Sequence, residues 1–234
     1  MAESDDIMNK AIFWDFDGTL AYSKSLWSSS VLRAIKSFLP DCSISLDDIR
    51  QYMNTGFTWH TPDEDFTHLV DNQWWNYMFD KFGNIYQTLG IDREISIKAS
   101  RLTRDIIMET GNYTLYDDSI TTLIGCIKAG YKNYILSNNY PELSEVIQRL
   151  NIHEYFTDYI ISACIGYDKP RIELFDYAKK VAGFPDKCFM VGDSTSADIV
   201  GGKRAGMTTV LVHKNTDYDA DYTFSELHEL LKVI

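Results

Sequence analysis

AIFWDFDGTL, residues 11–20, is an apolar, β-branched and aromatic run that stops at two acids and a glycine. It reads as a buried strand from Ala11 to Asp17, ended by a turn at Gly18. Short runs of the same kind recur at Asn133–Ser137, Tyr159–Ser162, Cys188–Val191 and Thr208–Val212. Between them lie well-capped segments of helical period, Asp118–Ala129, Pro141–Leu150, Pro170–Ala182 and Ala197–Ala205. Strands alternating with helices predict an α/β fold, a doubly wound and mainly parallel sheet covered on both faces.

Residues 22–112 break the alternation. They predict helices near Leu26–Phe38, Leu46–Met53, Asn72–Phe82 and Glu94–Glu109, with no buried strand among them. The expected organisation is a core domain made of residues 1–21 and 113–234, with a helical unit, 22–112, inserted. Asp217–Asp221 is expected as a surface loop leading to a last helix, Ser225–Lys232.

A chain of 234 residues suffices for one substantial core carrying a smaller unit. Thirty-four acidic against 22 basic side chains leave a net charge of -12, a field that repels a nucleic-acid backbone. The basic clusters Arg101–Arg104 and Lys203–Arg204 are short and read as solvated surface. No apolar run reaches the roughly 18 residues that a bilayer crossing needs. Neither nucleic acid nor membrane is therefore expected as a partner. Anionic small molecules remain open, because a bound cation and a few donors set the field inside a pocket. Cys42, Cys126, Cys164 and Cys188 form no metal-type pattern and read as buried, reduced thiols. The acidic start, Met1–Lys10, lacks the basic-then-apolar order of a signal peptide, which predicts a cytoplasmic location.

Residues two apart in a strand share a face, so Asp15 and Asp17 are expected to aim their carboxylates at one spot. Paired carboxylates repel unless a cation, a shared proton or a division of catalytic labour relieves them. Two solvated acids at a strand end is the plainer alternative. An apolar strand before the pair and a glycine turn after it fit that alternative poorly.

DFDGTL, Asp15 to Leu20, resembles the first signature of the haloacid dehalogenase-like superfamily, and three further signatures follow in the expected order. Ser137 follows Tyr134-Ile-Leu136, Lys169 sits in Asp168-Lys-Pro170 before a helix, and Gly192–Asp198 reads GDSTSAD. Each falls at the tip of a predicted strand, where an open α/β sheet binds ligands. The resemblance implies a magnesium-dependent hydrolase of a small phosphomonoester. It implies Mg2+ ligands in the side chains of Asp15 and Asp193 and the backbone carbonyl of Asp17, oxygen donors of the kind magnesium prefers.

By the same resemblance Asp15 is the nucleophile that forms an aspartyl-phosphate, and Asp17 the acid and then the base. Ser137 and Lys169 hold the phosphoryl oxygens, Asn138 adds a donor, and Asp198 orients Lys169 or a metal-bound water. Pro141, taken as the first turn of a helix, aims a helix N-terminus at the site.

Ala21-Tyr22-Ser23 departs from the family, which often has an acidic residue and a serine there. The insert matches the family's type 1 cap only by position, length and helical character. Such a cap closes over the site, excludes water and selects the substrate. Its aromatics Phe57, Trp74, Trp75 and Tyr77 read first as the unit's own core, while Trp59 and His60, in an expected loop, are the substrate-facing candidates. Two alternatives share these signatures: a phosphomutase using the same aspartyl-phosphate, and a phosphoester-binding protein without turnover. Dehalogenation fits less well, because Asp17 suits protonation of a leaving alcohol.

Overall fold

The structure, a computed structural model, describes residues 8–214 and 219–234. The chain opens with β1 (Lys10–Trp14) and turns into the two-residue β2 (Ala21–Tyr22). Helices α1 (Leu26–Phe38), α2 (Leu46–Arg50), α3 (Asn72–Thr88) and α4 (Arg93–Ile107) follow. The short β3 (Thr114–Leu115) then returns antiparallel to β2, pairing Leu115 with Ala21 and Thr114 with Tyr22. The remainder alternates: α5 (Ser119–Lys128), β4 (Lys132–Ser137), α6 (Leu143–Arg149), β5 (Asp158–Ile161), α7 (Ser162–Ile165), α8 (Ile172–Val181), β6 (Lys187–Gly192), α9 (Val200–Arg204), β7 (Thr208–Val212) and β8 (Tyr222–Phe224).

Six of these strands form one parallel sheet in the order β5-β4-β1-β6-β7-β8. Successive strand residues point to opposite faces, and here they sort into two apolar cores. Ile12, Trp14, Ile135, Phe189 and Val191 pack with Leu123 and Cys126 of α5 and Leu143 and Val146 of α6. Ala11, Phe13, Tyr134, Leu136 and Met190 pack with Leu174, Phe175 and Ala178 of α8. Each large side chain so buried contributes roughly 1.5–3 kcal/mol. Both faces are covered, as a doubly wound parallel sheet requires.

Several elements end elsewhere than the sequence predicts. The β1 ladder stops at Trp14, so Asp15 and Asp17 lie beyond it, in the turn. Helix α3 runs on to Thr88, because Trp75, Met78, Phe82, Ile85 and Tyr86 carry its buried stripe through Gly83. The last expected helix is a 3-10 segment, Leu227–Lys232, and it is preceded by the three-residue edge strand β8, too short to show a buried run. Of the expected loop at Asp217–Asp221, residues 217 and 218 lie outside the described residues; Asp219 pairs with Lys203 at 2.7 Å, and Asp221 accepts from the Thr209 N–H and hydroxyl, both at 2.7 Å. All four cysteines are free thiols, but only Cys126 is fully buried. Pro141 precedes α6 rather than occupying its first turn. No helix of the described residues is long and apolar enough to cross a membrane.

The helices between β2 and β3 pack on one another, α4 against both α1 and α3, with Tyr86 donating to the Val31 carbonyl at 2.6 Å. An aromatic group forms around Trp27, whose ring centroid lies 4.9 Å from Phe57, 5.8 Å from Trp59 and 6.1 Å from Trp74. Arg101 is exposed, as the sequence predicts, with its guanidinium over the Phe79 ring, whereas Arg104, expected as solvated, is half-buried over the Trp75 ring. Arg104 also pairs with Glu142, which accepts from the Trp75 indole at 2.6 Å, so α3 and α4 are tied to the segment after β4.

A second attachment runs through the segment after α7. Phe66 N–H donates to the Gly166 carbonyl at 3.0 Å, and Arg171 donates to the Glu64 carbonyl at 2.9 Å. Gly166 has φ +85°, and a Cβ there would meet Thr67 Cα at 2.4 Å. Gly166→Ala should therefore lower the free energy of unfolding by about 1–3 kcal/mol, from backbone strain compounded by this contact. A urea titration monitored by tryptophan fluorescence checks this, and an unchanged midpoint would show that the two segments are not held this closely.

Candidate active site

β1 is flanked by β4 and β6, so the sheet order turns outward from it in both directions. The crevice at such a switch point receives the tips of several strands. The Asp15 N–H still bonds the Val191 carbonyl at 2.9 Å, after which the N–H groups of Thr19, Leu20 and Ala21 all turn back to the Phe16 carbonyl. This turn requires Gly18, whose φ is +82° and whose Cβ would lie 2.7 Å from the Asp193 carboxyl. Asp193 is thereby brought against the turn that carries Asp15 and Asp17.

Ser137, at the end of β4, donates to Asp15 Oδ1 at 2.8 Å. Lys169 Nζ lies 3.0 Å from the same oxygen, 2.6 Å from Asp198 Oδ1 and 2.8 Å from the Leu136 carbonyl. Its three protons thus meet three acceptors. The second Asp198 oxygen accepts from the Ser194 N–H at 3.0 Å, within a π-helical turn, Thr195–Ile199, that leads into α9. One oxygen of each of Asp15, Asp193 and Asp198 lies within 4.8 Å of the others. Lys214 approaches Asp193 at 3.7 Å. Asp17 Oδ2 accepts from Asn139 Nδ2 at 2.7 Å.

A cleft of about 410 Å³ opens over these groups, lined by Asp15, Asp17, Ser137, Asn138 and Lys169 below and by Trp59 and Pro62 of the helical insert above. His60 is not among its lining residues. It is exposed and packs edge-on against Phe57 at 5.4 Å, and partial burial and the neighbouring Lys81 hold its imidazole below the usual range. Asn138 lines the cleft, yet both ends of its amide are engaged: Oδ1 accepts from the Lys169 N–H at 2.7 Å, and Nδ2 donates to the Lys169 carbonyl at 3.0 Å. It thereby clamps the Lys169 backbone. Asn139, Pro62 and Lys214 were not singled out from sequence. Only Asn139, a second amide directly after Ser137-Asn138, left a local signal.

Burial pushes the Asp17 carboxyl up to about 7, with the Asp15 and Asp193 charges adding to the shift and the Asn139 N–H opposing it. Asp193 is raised by burial and by Asp15. Burial opposes the charge on Lys169, but Asp15 and Asp198 outweigh it and hold the ammonium above its ordinary value. The site is therefore rich in hard oxygen donors and in negative charge that protons or a cation must relieve. That donor set fits a magnesium ion. Asp198, with both oxygens committed, is the least available of the three clustered carboxylates.

The family model for haloacid dehalogenase-like hydrolases matches residues 9–206. The chain belongs to that family. It is 33% identical over 121 residues to pyrimidine 5'-nucleotidase YjjG of Escherichia coli K12, an alignment covering 48% of this chain and 54% of that protein. Against glyceraldehyde 3-phosphate phosphatase of Methanothermobacter thermautotrophicus it is 26% identical over 220 residues, covering 92% and 91%. Its fold is shared with the putative hydrolase YfnB of Bacillus subtilis bound to magnesium, at a TM-score of 0.73 and 18% identity over 97% of this chain and 98% of that one.

An acid that holds its proton more tightly when folded stabilises the chain at low pH. The Asp17 contribution is complete below the ordinary value of 3.8 and is lost as pH rises through about 7. Chelator-treated protein should thus melt at a lower temperature at pH 8 than at pH 5. Asp17→Asn should flatten that difference, and equal slopes for the two proteins in a calorimetric pH series would contradict the burial of this carboxyl.

Proposed function

We propose that the chain is a magnesium-dependent phosphatase of a small phosphomonoester, acting through an aspartyl-phosphate on Asp15. The observation that carries this reading is the arrangement around one carboxylate. Asp15 Oδ1 is held by Ser137 and Lys169, and Asp193 lies near enough to share a cation with Asp15. Relatives named glyceraldehyde 3-phosphate phosphatase and pyrimidine 5'-nucleotidase support the same reaction class.

The side chains of Asp15 and Asp193 and the Asp17 carbonyl would hold the ion. When bound, it offsets the repulsion between carboxylate and phosphate and polarises a phosphoryl oxygen. In the first step an Asp15 oxygen bonds phosphorus while the ester P–O bond breaks. The bonding pair passes to the ester oxygen, which takes a proton from Asp17. In the second step a water oxygen bonds phosphorus, the Asp15–phosphorus bond breaks with its pair returning to Asp15, and Asp17 takes the water proton. Protonation of Asp17 near neutral pH, beside an Asp15 whose Oδ1 faces the Lys169 ammonium at 3.0 Å, suits the division of roles that this sequence of transfers needs.

Ser137 and Lys169 position Asp15 before reaction. As Asp15 loses its charge to the ester, their donors turn to the phosphoryl oxygens. The helical insert acts as the cap: Trp59 and Pro62 form an uncharged upper wall of the cleft that excludes water and contacts the leaving group. No cationic side chain of the insert lines that wall among the described residues, which favours substrates with the phosphate as their one strongly anionic group.

Purified protein should release phosphate from small phosphomonoesters with Mg2+, lose that activity with chelator and regain it when the ion is returned. Asp15→Asn should abolish it; turnover persisting in that variant would refute the nucleophile. Trp59→Ala should raise KM about tenfold for bulky, planar leaving groups, equivalent to ~1.4 kcal/mol of lost contact. A steady-state comparison of nucleoside monophosphates with glycerol phosphate measures this, and an identical effect on both would remove Trp59 from the substrate wall.

A further inference from the structure

Asn139 lies past the end of β4 and is buried. Its Nδ2 donates to Asp17 Oδ2 at 2.7 Å, its Oδ1 accepts from the Tyr140 N–H at 3.0 Å, and its own N–H donates to Ser162 Oγ at 3.2 Å. The Tyr140 contact fixes which way the amide faces. A backbone N–H can only donate, so the carboxamide oxygen lies toward Tyr140 and the NH2 toward Asp17. Asp17 Oδ2 is then an acceptor, and it has no acceptor on Asn139 to which a proton of its own could be directed.

The other oxygen is differently placed. Asp17 Oδ1 is buried and has no hydrogen-bond partner among the described residues. A buried polar atom left in that state is uncommon, and it marks a position that a ligand, a water or a proton completes. Asp17 lines the same cleft as Asp15, Ser137 and Lys169.

We propose that Asn139 is a positioning residue that selects Asp17 Oδ1 as the oxygen that hands a proton to the leaving alcohol and later takes one from water. The inference rests on the acid and base role given to Asp17 above. In both transfers the proton, bond and electron-pair changes are those already written, now assigned to Oδ1, and Asn139 gives up no proton. Turning the carboxyl to exchange its oxygens breaks the bond from Asn139, which is charge-assisted whenever Asp17 is ionised. Asn139 thereby holds one oxygen in reserve for the reaction.

A pair of leaving groups separates this role from simple support of the fold. An alkoxide leaves poorly without a proton, whereas nitrophenolate leaves unaided, so damage to the acid slows an alkyl phosphate selectively. The experiment compares glycerol phosphate with p-nitrophenyl phosphate in the wild-type chain, Asp17→Asn, Asn139→Ala and Asn139→Leu. Both substitutions at 139 remove the donor. One is small and the other is near the original size, so the comparison survives if either fails to fold.

Asp17→Asn should lower the single-turnover rate of leaving-group release from the alkyl ester by on the order of 10²–10⁴-fold, and much less from the aryl ester, this first step being free of the water activation that both esters share. The Asn139 variants should lower it about tenfold on the alkyl ester and less than about threefold on the aryl ester. Equal slowing of both esters by the Asn139 variants, or slowing of neither, overturns the assignment of Asn139 while leaving Asp17 in its role. Equal slowing by Asp17→Asn, or no phosphate release from either ester by the wild-type chain, overturns the underlying reading and this inference together.

Discussion

A buried ammonium holds the strand tips together. Lys169 Nζ meets the Leu136 carbonyl from β4, Asp198 from the turn after β6 and Asp15 from the turn after β1. An ion taken out of water costs several kcal/mol unless it is paired and bonded, and removing one partner of such a pair typically costs about 3–5 kcal/mol. The three acceptors therefore constrain one another: none can leave without exposing the others to an uncompensated charge. Asn138 extends the constraint by binding both the N–H and the carbonyl of Lys169, so backbone and side chain are fixed together.

The same constraint explains the excess of acid around it. Lys169 offsets part of the negative charge of Asp15 and Asp198, while Asp17 and Asp193 remain close and are both raised by burial. A site so arranged is strained toward proton or cation uptake. Lys169 stands beside Asp15 and is not bonded to Asp17, whose bonded partner is Asn139, so the two carboxyls sit in different surroundings.

The helical insert reaches the site through two attachments of different kinds. Glu142 grips Trp75 and Arg104 a few residues beyond Ser137, Asn138 and Asn139, so the clasp and the site share one short segment of chain. On the other side the backbone around Phe66 lies against Gly166, three residues before Lys169. Trp59 is held by its stack on Phe57, with ring centroids 4.7 Å apart. The aromatics that read as packing do pack, and Trp59 both belongs to that group and lines the cleft.

Most of the sheet was legible in sequence because its signals are local: apolar strands of four to six residues, glycine turns and segments of helical period each declare themselves within a short window, whereas the three-residue β8 does not. Asp15, Ser137 and Asp193 were legible because a strand tip is a place that sequence can find; Lys169, expected at one too, lies after α7, well past the end of β5 at Ile161, and was legible only through the Asp168-Lys-Pro170 motif. Side-chain partners were not. Asn138 and Asn139 are adjacent and chemically identical, yet one clamps Lys169 and the other bonds Asp17, and only the path of the chain after β4 distinguishes them. Arg104 is a surface residue by sequence and an inter-segment tie by structure, because Glu142 stands 38 positions away in the chain. His60 sits beside Trp59 in sequence, but it packs on Phe57 while its neighbour lines the cleft. The sequence alone thus settles which segments form the central strands, through patterning, though not the residues at which they end. Which of their polar atoms meet, and which is left without a partner, depends on contacts between distant segments that tertiary packing alone creates.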